Sequence, residues 1–333
     1  MESQIADLRG AGLVVGHAGD HEGATGVTVI RRADGAMRAG VSILGRATGS
    51  RELHAASADH LVNGRIDAIL LTGGSAYGLD AAAGVMRWME ERGRGLPVGI
   101  GVVPIVPAAV VFDLAPLGRA DARPSATMAY DACDSATDEN VGEGSVGVGT
   151  GTTVGKIIGP AGAMKGGFGC ASEQTDDGSL TVAAMVVVNA FGDVRNDRGE
   201  IIAGARGDRS AFVDTARVLR SGGVASPAKF DELAATNTTL AVVGVSAPMT
   251  ATELTQLARA AGAALTRRIT PCGSSFDGDI VFAVSPEAGE RSRFQSMIAE
   301  ALAVAALERA VERAVRLAHG RDGIPGLADT HGN

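Results

Sequence analysis

A threonine hydroxyl is the first chemistry to consider, because Thr238 stands in Ala235-Thr236-Asn237-Thr238-Thr239 immediately before a predicted strand. An alcohol is a weak nucleophile until a base removes its proton. Peptide cleavage in front of a threonine supplies such a base, its own new α-amine, whose ordinary pKa of about 7.7–8 suits proton transfer near neutrality. Thr238 is therefore a candidate for cutting its own chain and then other amides. The same residues also fit a plain strand start, since threonine favours extended backbone. From the segment alone the plain strand start is the better account.

Other patterns fall short of the chemistry they suggest. Gly151 to Lys156 looks like a phosphate loop, but Thr150 stands at the required first glycine and Ile157 replaces the hydroxyl that would hold magnesium. Gly142-x-Gly144-x-x-Gly147 fits a dinucleotide fingerprint by letter, without a strand before it or a helix after it. In Gly73-Gly74-Ser75-Ala76-Tyr77-Gly78, Tyr77 occupies the place of the last glycine of a nucleophile elbow, so a tight strand-to-helix turn is expected. His17 and His21 lie four apart across Gly19, with no helix to align them and no HExxH, so no metal site is expected. No organic cofactor is expected either.

The elements that must position Thr238 are a mixture of strands and helices. Segments rich in Val, Ile and Ala predict strands at Gly26–Arg31, Ile66–Thr72, Leu180–Asn189, Leu240–Ser246 and Ile280–Ser285. Asn196-Asp197-Arg198-Gly199 reads as a turn between two short strands. Apolar stripes at helical spacing run through Leu79, Ala82, Met86 and Met89, and through Leu254, Leu257, Ala261 and Leu265 behind a Thr250-x-x-Glu253 capping box. A third stripe, Val304, Leu307, Val311 and Val315, predicts a long helix closed by Gly320, with a loose tail over 320–333. The mixture indicates a layered α/β or α+β fold, and 333 residues at 45% apolar content suffice for a large core.

Composition narrows the partners. A net charge of −8 without a long basic run argues against nucleic acid and anionic membranes. Cys133, Cys170 and Cys272 are widely spaced and odd in number, so free thiols in a reducing compartment are expected. The charged start, MESQIADLRG, does not read as a secretory signal, and Leu96 to Phe112 carries three prolines, which suits buried extended chain better than a membrane helix. A soluble cytoplasmic protein is the expectation.

Ten sequence blocks in a fixed order then carry a resemblance. They are Val15-Gly16-His17, Thr25-Gly26-Val27-Thr28-Val29, Gly49-Ser50-Arg51-Glu52, Leu71 to Asp80, Pro104 to Val110, Val154-Gly155-Lys156, Met164-Lys165-Gly166-Gly167, Val188 to Val194, Asn237-Thr238-Thr239 and Asp277-Gly278-Asp279. From about residue 12 to 286 the chain resembles the self-processing β-aminopeptidase (DmpA-type) family. Around Thr238 it is similar to the family's nylon-oligomer hydrolases. The resemblance implies a four-layer α-β-β-α sandwich of the N-terminal-nucleophile-like kind shared with ornithine acetyltransferases. It implies self-cleavage between Asn237 and Thr238, giving an α chain 1–237 and a β chain 238–333 that remain one domain, and a homo-oligomer, often a tetramer of such units.

The resemblance also implies roles. Thr238 is the nucleophile, Asn189 an oxyanion-hole donor, Lys156 a cation beside the nucleophile, and Asp277 and Asp279 paired acids facing the Thr238 amine and hydroxyl. Phe112 stands where well-studied members carry an active-site tyrosine, which removes a hydroxyl donor. The expected activity is hydrolysis of small peptides or short amide oligomers. Acyl transfer to an amine, or a binding protein on the same scaffold, are the alternative readings.

Overall fold

The computed structural model describes residues 6–207, 211–223, 236–289 and 295–331, so Ala235 and residues 332–333 of the expected tail lie outside them. The main strands in its first half are β1 (Leu13–Asp20), β2 (Thr25–Arg32), β3 (Met37–Ile43), β4 (Ala68–Thr72) and β5 (Ala108–Val110). Those in its second half are β6 (Gly167–Gln174), β7 (Thr181–Asn189), β8 (Thr238–Val245) and β9 (Ile280–Pro286). The longer helices are α1 (Ala82–Glu90), α2 (Ala126–Asp134), α3 (Ala251–Arg268) and α4 (Gln295–Arg316).

One sheet runs β1-β2-β4-β5 and ends on Ser50–Arg51; the other runs β6-β7-β8-β9-β3 and ends on Arg65–Ile66. Alternation along each strand divides its side chains between two cores. On β7, Val182, Ala184, Val186 and Val188 pack with α3 and α4, whereas Ala183, Met185 and Val187 turn to the opposite sheet. β8 does the same, with Ala241, Val243 and Val245 on one side and Leu240 and Val242 on the other. A third core joins Val27, Val29 and Leu70 of the first sheet to Val85 and Trp88 of α1 and Ala129 of α2. Three cores between four layers make the expected α-β-β-α sandwich.

Most predicted elements are present, with instructive changes. The expected strand Ile66–Thr72 divides at Asp67: Arg65–Ile66 pairs with β3, and β4 pairs with β2. The buried Asp67 carboxylate holds this crossing, accepting from Arg65 at 3.1 Å and from Ile105 N at 2.8 Å. The Thr250 capping box forms as predicted and starts α3, which carries the chain from β8 to its parallel neighbour β9. Leu96–Phe112 is only partly the buried segment expected. Val106 and Ala108 to Val111 are buried, but Leu96–Pro97 and Val102–Val103 form a hairpin that exposes Val98 and Ile100. The tail after Gly320 is not loose through residue 331. Ile324 packs on Ala24 and Leu117, Pro325 O accepts from Lys165 N at 2.9 Å, and Arg321 donates to His21 O and Glu22 O.

Candidate active site

Strand register sets the centre. β7 and β8 run antiparallel with Asn189 opposite Thr238, so the last residue of one strand faces the first of the next. On the other flank β9 runs parallel to β8, and a bridge between Asn237 and Asp277 extends that pairing upstream. Asp277-Gly278-Asp279 therefore lies alongside Asn237-Thr238-Thr239. Asn189, Asn237, Thr238, Asp277, Asp279 and Lys156 are all buried.

Thr238 Oγ1 lies 2.6 Å from Asn237 O, to which it donates. The same carbonyl oxygen accepts from Gly278 N at 2.9 Å. A backbone N–H thus points at the oxygen that would carry negative charge if Thr238 attacked the preceding carbonyl. Glycine at 278 leaves the hydroxyl in place, because a Cβ there would lie 2.7 Å from Thr238 Oγ1. Sequence reasoning did not identify Gly278 as a functional residue, since a main-chain donor leaves no side-chain signature.

Lys156 reaches this centre from a short turn. Gly155 and Lys156 donate their backbone N–H groups to Gly192 O and Phe191 O, each at 3.0 Å, which fastens the turn to the Asn189–Gly192 block. Lys156 Nζ then donates to Asn189 Oδ1 at 3.0 Å, Asn189 O at 3.2 Å and Thr236 O at 2.9 Å. Burial lowers its pKa to about 7, with Asp277 pulling the other way.

Asn189 is held on every side. Its Oδ1 accepts from Thr153 N at 3.1 Å, and its Nδ2 donates to Phe112 O at 3.0 Å and Thr236 O at 3.1 Å. The expected oxyanion donor thus grips the carbonyl one residue upstream of Asn237, while Gly278 N takes the Asn237 oxygen. Phe112 contributes through its backbone, so loss of a tyrosine hydroxyl leaves this link intact.

The two acids flank the nucleophile without bonding to it. Asp277 Oδ2 accepts from Ser274 N at 2.8 Å. Asp279 Oδ1 accepts from Thr239 N at 2.6 Å, and its Oδ2 from Gly273 N at 2.9 Å and the Cys272 thiol at 3.2 Å. In the uncut chain both carboxylates support the neighbouring backbone instead of bonding to the Thr238 hydroxyl. Burial, then the nearby Asp277, raises Asp279 to about 6, against the pull of its three donors. Burial also keeps Cys272 protonated as a donor, well above its ordinary pKa.

The nucleophile-elbow-like turn and the His17 region stay apart from this chemistry. Ser75 begins a short 3-10 segment, Ser75–Ala81, as a tight strand-to-helix turn. His17 Nδ1 pairs with Thr28 Oγ1 at 2.9 Å. Among the described residues no cluster of three or more His, Cys, Asp or Glu side chains could hold a metal ion.

Residues 3–326 match peptidase family S58. The chain belongs to that family. An uncharacterised aminopeptidase of Mycobacterium leprae is 39% identical over 318 residues, covering 91% of this chain and 85% of the relative. A 6-aminohexanoate-oligomer endohydrolase of Kocuria sp. is 29% identical over 279 residues, covering 83% and 73%. Among solved structures, a Burkholderia sp. β-aminopeptidase superposes with a TM-score of 0.66 at 23% identity, covering 95% of this chain and 88% of the other. The L-aminopeptidase D-Ala-esterase/amidase of Ochrobactrum anthropi, described as a variant of the Ntn-hydrolase fold, gives 0.69 at 20% identity, covering 94% and 86%. These two likenesses bear on the fold, and the four-layer sandwich is of that kind. Family membership makes the chain a hydrolase of peptide or amide bonds. No described helix is long and apolar enough to cross a membrane.

Proposed function

We propose that this S58 member cuts itself between Asn237 and Thr238 and then uses Thr238 as an N-terminal nucleophile on small peptides or short amide oligomers. The observation that carries the reading is the shared oxygen of Asn237, 2.6 Å from the Thr238 hydroxyl and 2.9 Å from Gly278 N.

Self-cleavage begins with attack of Thr238 Oγ1 on the Asn237 carbonyl carbon. The C–O bond forms as the hydroxyl gives up its proton, charge develops on the oxygen held by Gly278 N–H, and the C–N bond breaks as that proton passes to the threonine nitrogen. Water then hydrolyses the ester, leaving an Asn237 carboxylate and a free Thr238 amine. In later turnovers that amine receives the hydroxyl proton and returns it to the leaving amine of the substrate. The Asp277 and Asp279 carboxylates supply a negative field for the ammonium form. Lys156 and Asn189, released from Thr236 O as the cut end withdraws, become donors for a substrate carbonyl. The exposed apolar hairpin tip at Val98 and Ile100 supports the expected homo-oligomer, which would cover it.

Thr238→Ala tests the assignment. The variant should remain a single 333-residue polypeptide and hydrolyse no amide substrate, while wild type divides. Cleavage or turnover persisting in Thr238→Ala would place the nucleophile elsewhere.

A further inference from the structure

A second buried lysine lies beneath the site and takes no part in the steps above. Lys165 pairs with Thr153 in the two-residue ladder of Thr153–Val154 with Met164–Lys165, and it is 1% exposed. Its Nζ donates to the carbonyls of Gly149 at 3.3 Å, Thr150 at 2.9 Å and Thr152 at 2.9 Å. A buried ammonium costs several kcal/mol unless its hydrogens are bonded. Here all three go to one loop, the one that ends in Thr153 and Lys156.

Asp113, also buried, faces this loop from the other side. Its Oδ2 accepts from Thr25 Oγ1 at 2.7 Å and its Oδ1 from Gly74 N at 2.6 Å. The fit is close, since a Cβ on Gly151 would lie 2.8 Å from Asp113 Cβ and 2.0 Å from Ala24 O. The C-terminal segment closes the cluster, with Pro325 O on Lys165 N and Ile324 over Ala24 and Leu117.

The neighbours in sequence connect the cluster to Asn189. Thr153, next to the clamped Thr152, donates its N–H to Asn189 Oδ1, and Phe112, next to Asp113, accepts from Asn189 Nδ2. Both ends of one amide are thus fixed by backbone groups, one adjacent to the buried acid itself and the other to a residue that the lysine holds. We propose that Lys165 and Asp113 are positioning residues that set the orientation of the Asn189 amide. The proposal rests on the reading of Thr238 as nucleophile.

The test is a double-mutant cycle on the self-cleavage rate of freshly made full-length protein, followed by intact mass. Lys165→Met keeps most of the side-chain length and removes the three donors. It should slow cleavage about 10- to 100-fold, the scale of a 1 Å displacement in an active site. In an Asn189→Ala background the same change should cost less than about threefold, because the group it positions is gone. Losses that multiply in the double variant would mean a general structural role and overturn the proposal. If Lys165→Met does not fold, Asp113→Asn enters the same cycle under the same criterion. Wild-type protein that never cleaves overturns the Thr238 reading and this proposal together, whereas cleavage with multiplying losses overturns this proposal alone.

Discussion

Adding one methyl group at Gly278 should disable Thr238 without touching it chemically. A Cβ at 278 would lie 2.7 Å from Thr238 Oγ1 and 2.9 Å from Ala47 O, both inside the 3.0 Å that real Cβ atoms keep. The Ala47 backbone has little room to yield, because Ala47 N donates to Asp277 O at 2.9 Å. The hydroxyl must therefore swing away, or the β8 and β9 ends must part and lengthen the Gly278 N to Asn237 O bond. A displacement near 1 Å costs about 10²-fold in rate, and loss of an oxyanion donor costs about 10²–10³-fold. Overpacking costs about 1–3 kcal/mol of stability, which a domain of this size tolerates. Gly278→Ala should accordingly fold, with a lowered unfolding midpoint, and cleave itself about 10²-fold more slowly in a time course of intact mass. A folded Gly278→Ala protein cleaving within twofold of the wild-type rate would refute the argument from the Gly278 contact.

The pH dependence of self-cleavage follows from two groups moved in opposite directions. Asp279, raised to about 6, must be ionised for both its oxygens to accept, one from Thr239 N and the other from Gly273 N and the Cys272 thiol, and Lys156, lowered to about 7, must be protonated to donate to three oxygens. The rate should climb as pH rises through about 6, fall above about 7, and lose the descending limb in Lys156→Met; a flat profile from about one unit below the lower limb to about two units above the upper one would contradict this. Ile324→Ala, which opens the contact with Ala24 and Leu117, should lower stability by about 2 kcal/mol at an unchanged denaturant slope, whereas no change would mean the C-terminal segment contributes nothing to the fold.

The elements legible in the sequence are those whose burial speaks through large aliphatic side chains. β7, with every residue buried, and β8 are Val-rich runs, and α3 carries both its stripe and its cap. β6 went unread because its start, Gly-Phe-Gly-Cys-Ala, has little apolar bulk. Its glycines serve close approach: a Cβ on Gly167 or Gly169 would lie 2.2 Å from Ala314 O or 2.3 Å from Ala310 O of α4. β1, β3 and α2 are likewise rich in small or polar residues and present no clear periodicity. The apolar run at 96–103 misled in the other direction, since Gly99, with φ at +83°, turns it into an exposed hairpin. At the site, the grouping of Thr238, Asn189, Lys156, Asp277 and Asp279 was legible through family blocks. Which carbonyl meets Gly278 N and which meets Asn189 Nδ2 was not, because that depends on strand register.

Intact-mass analysis of purified wild-type protein, with N-terminal sequencing of each species, addresses the nucleophile most directly. Two chains are expected, the first ending at Asn237 and the second beginning Thr238-Thr239-Leu240. A single uncut chain after prolonged incubation, or a cut at any other bond, would contradict the assignment of Thr238.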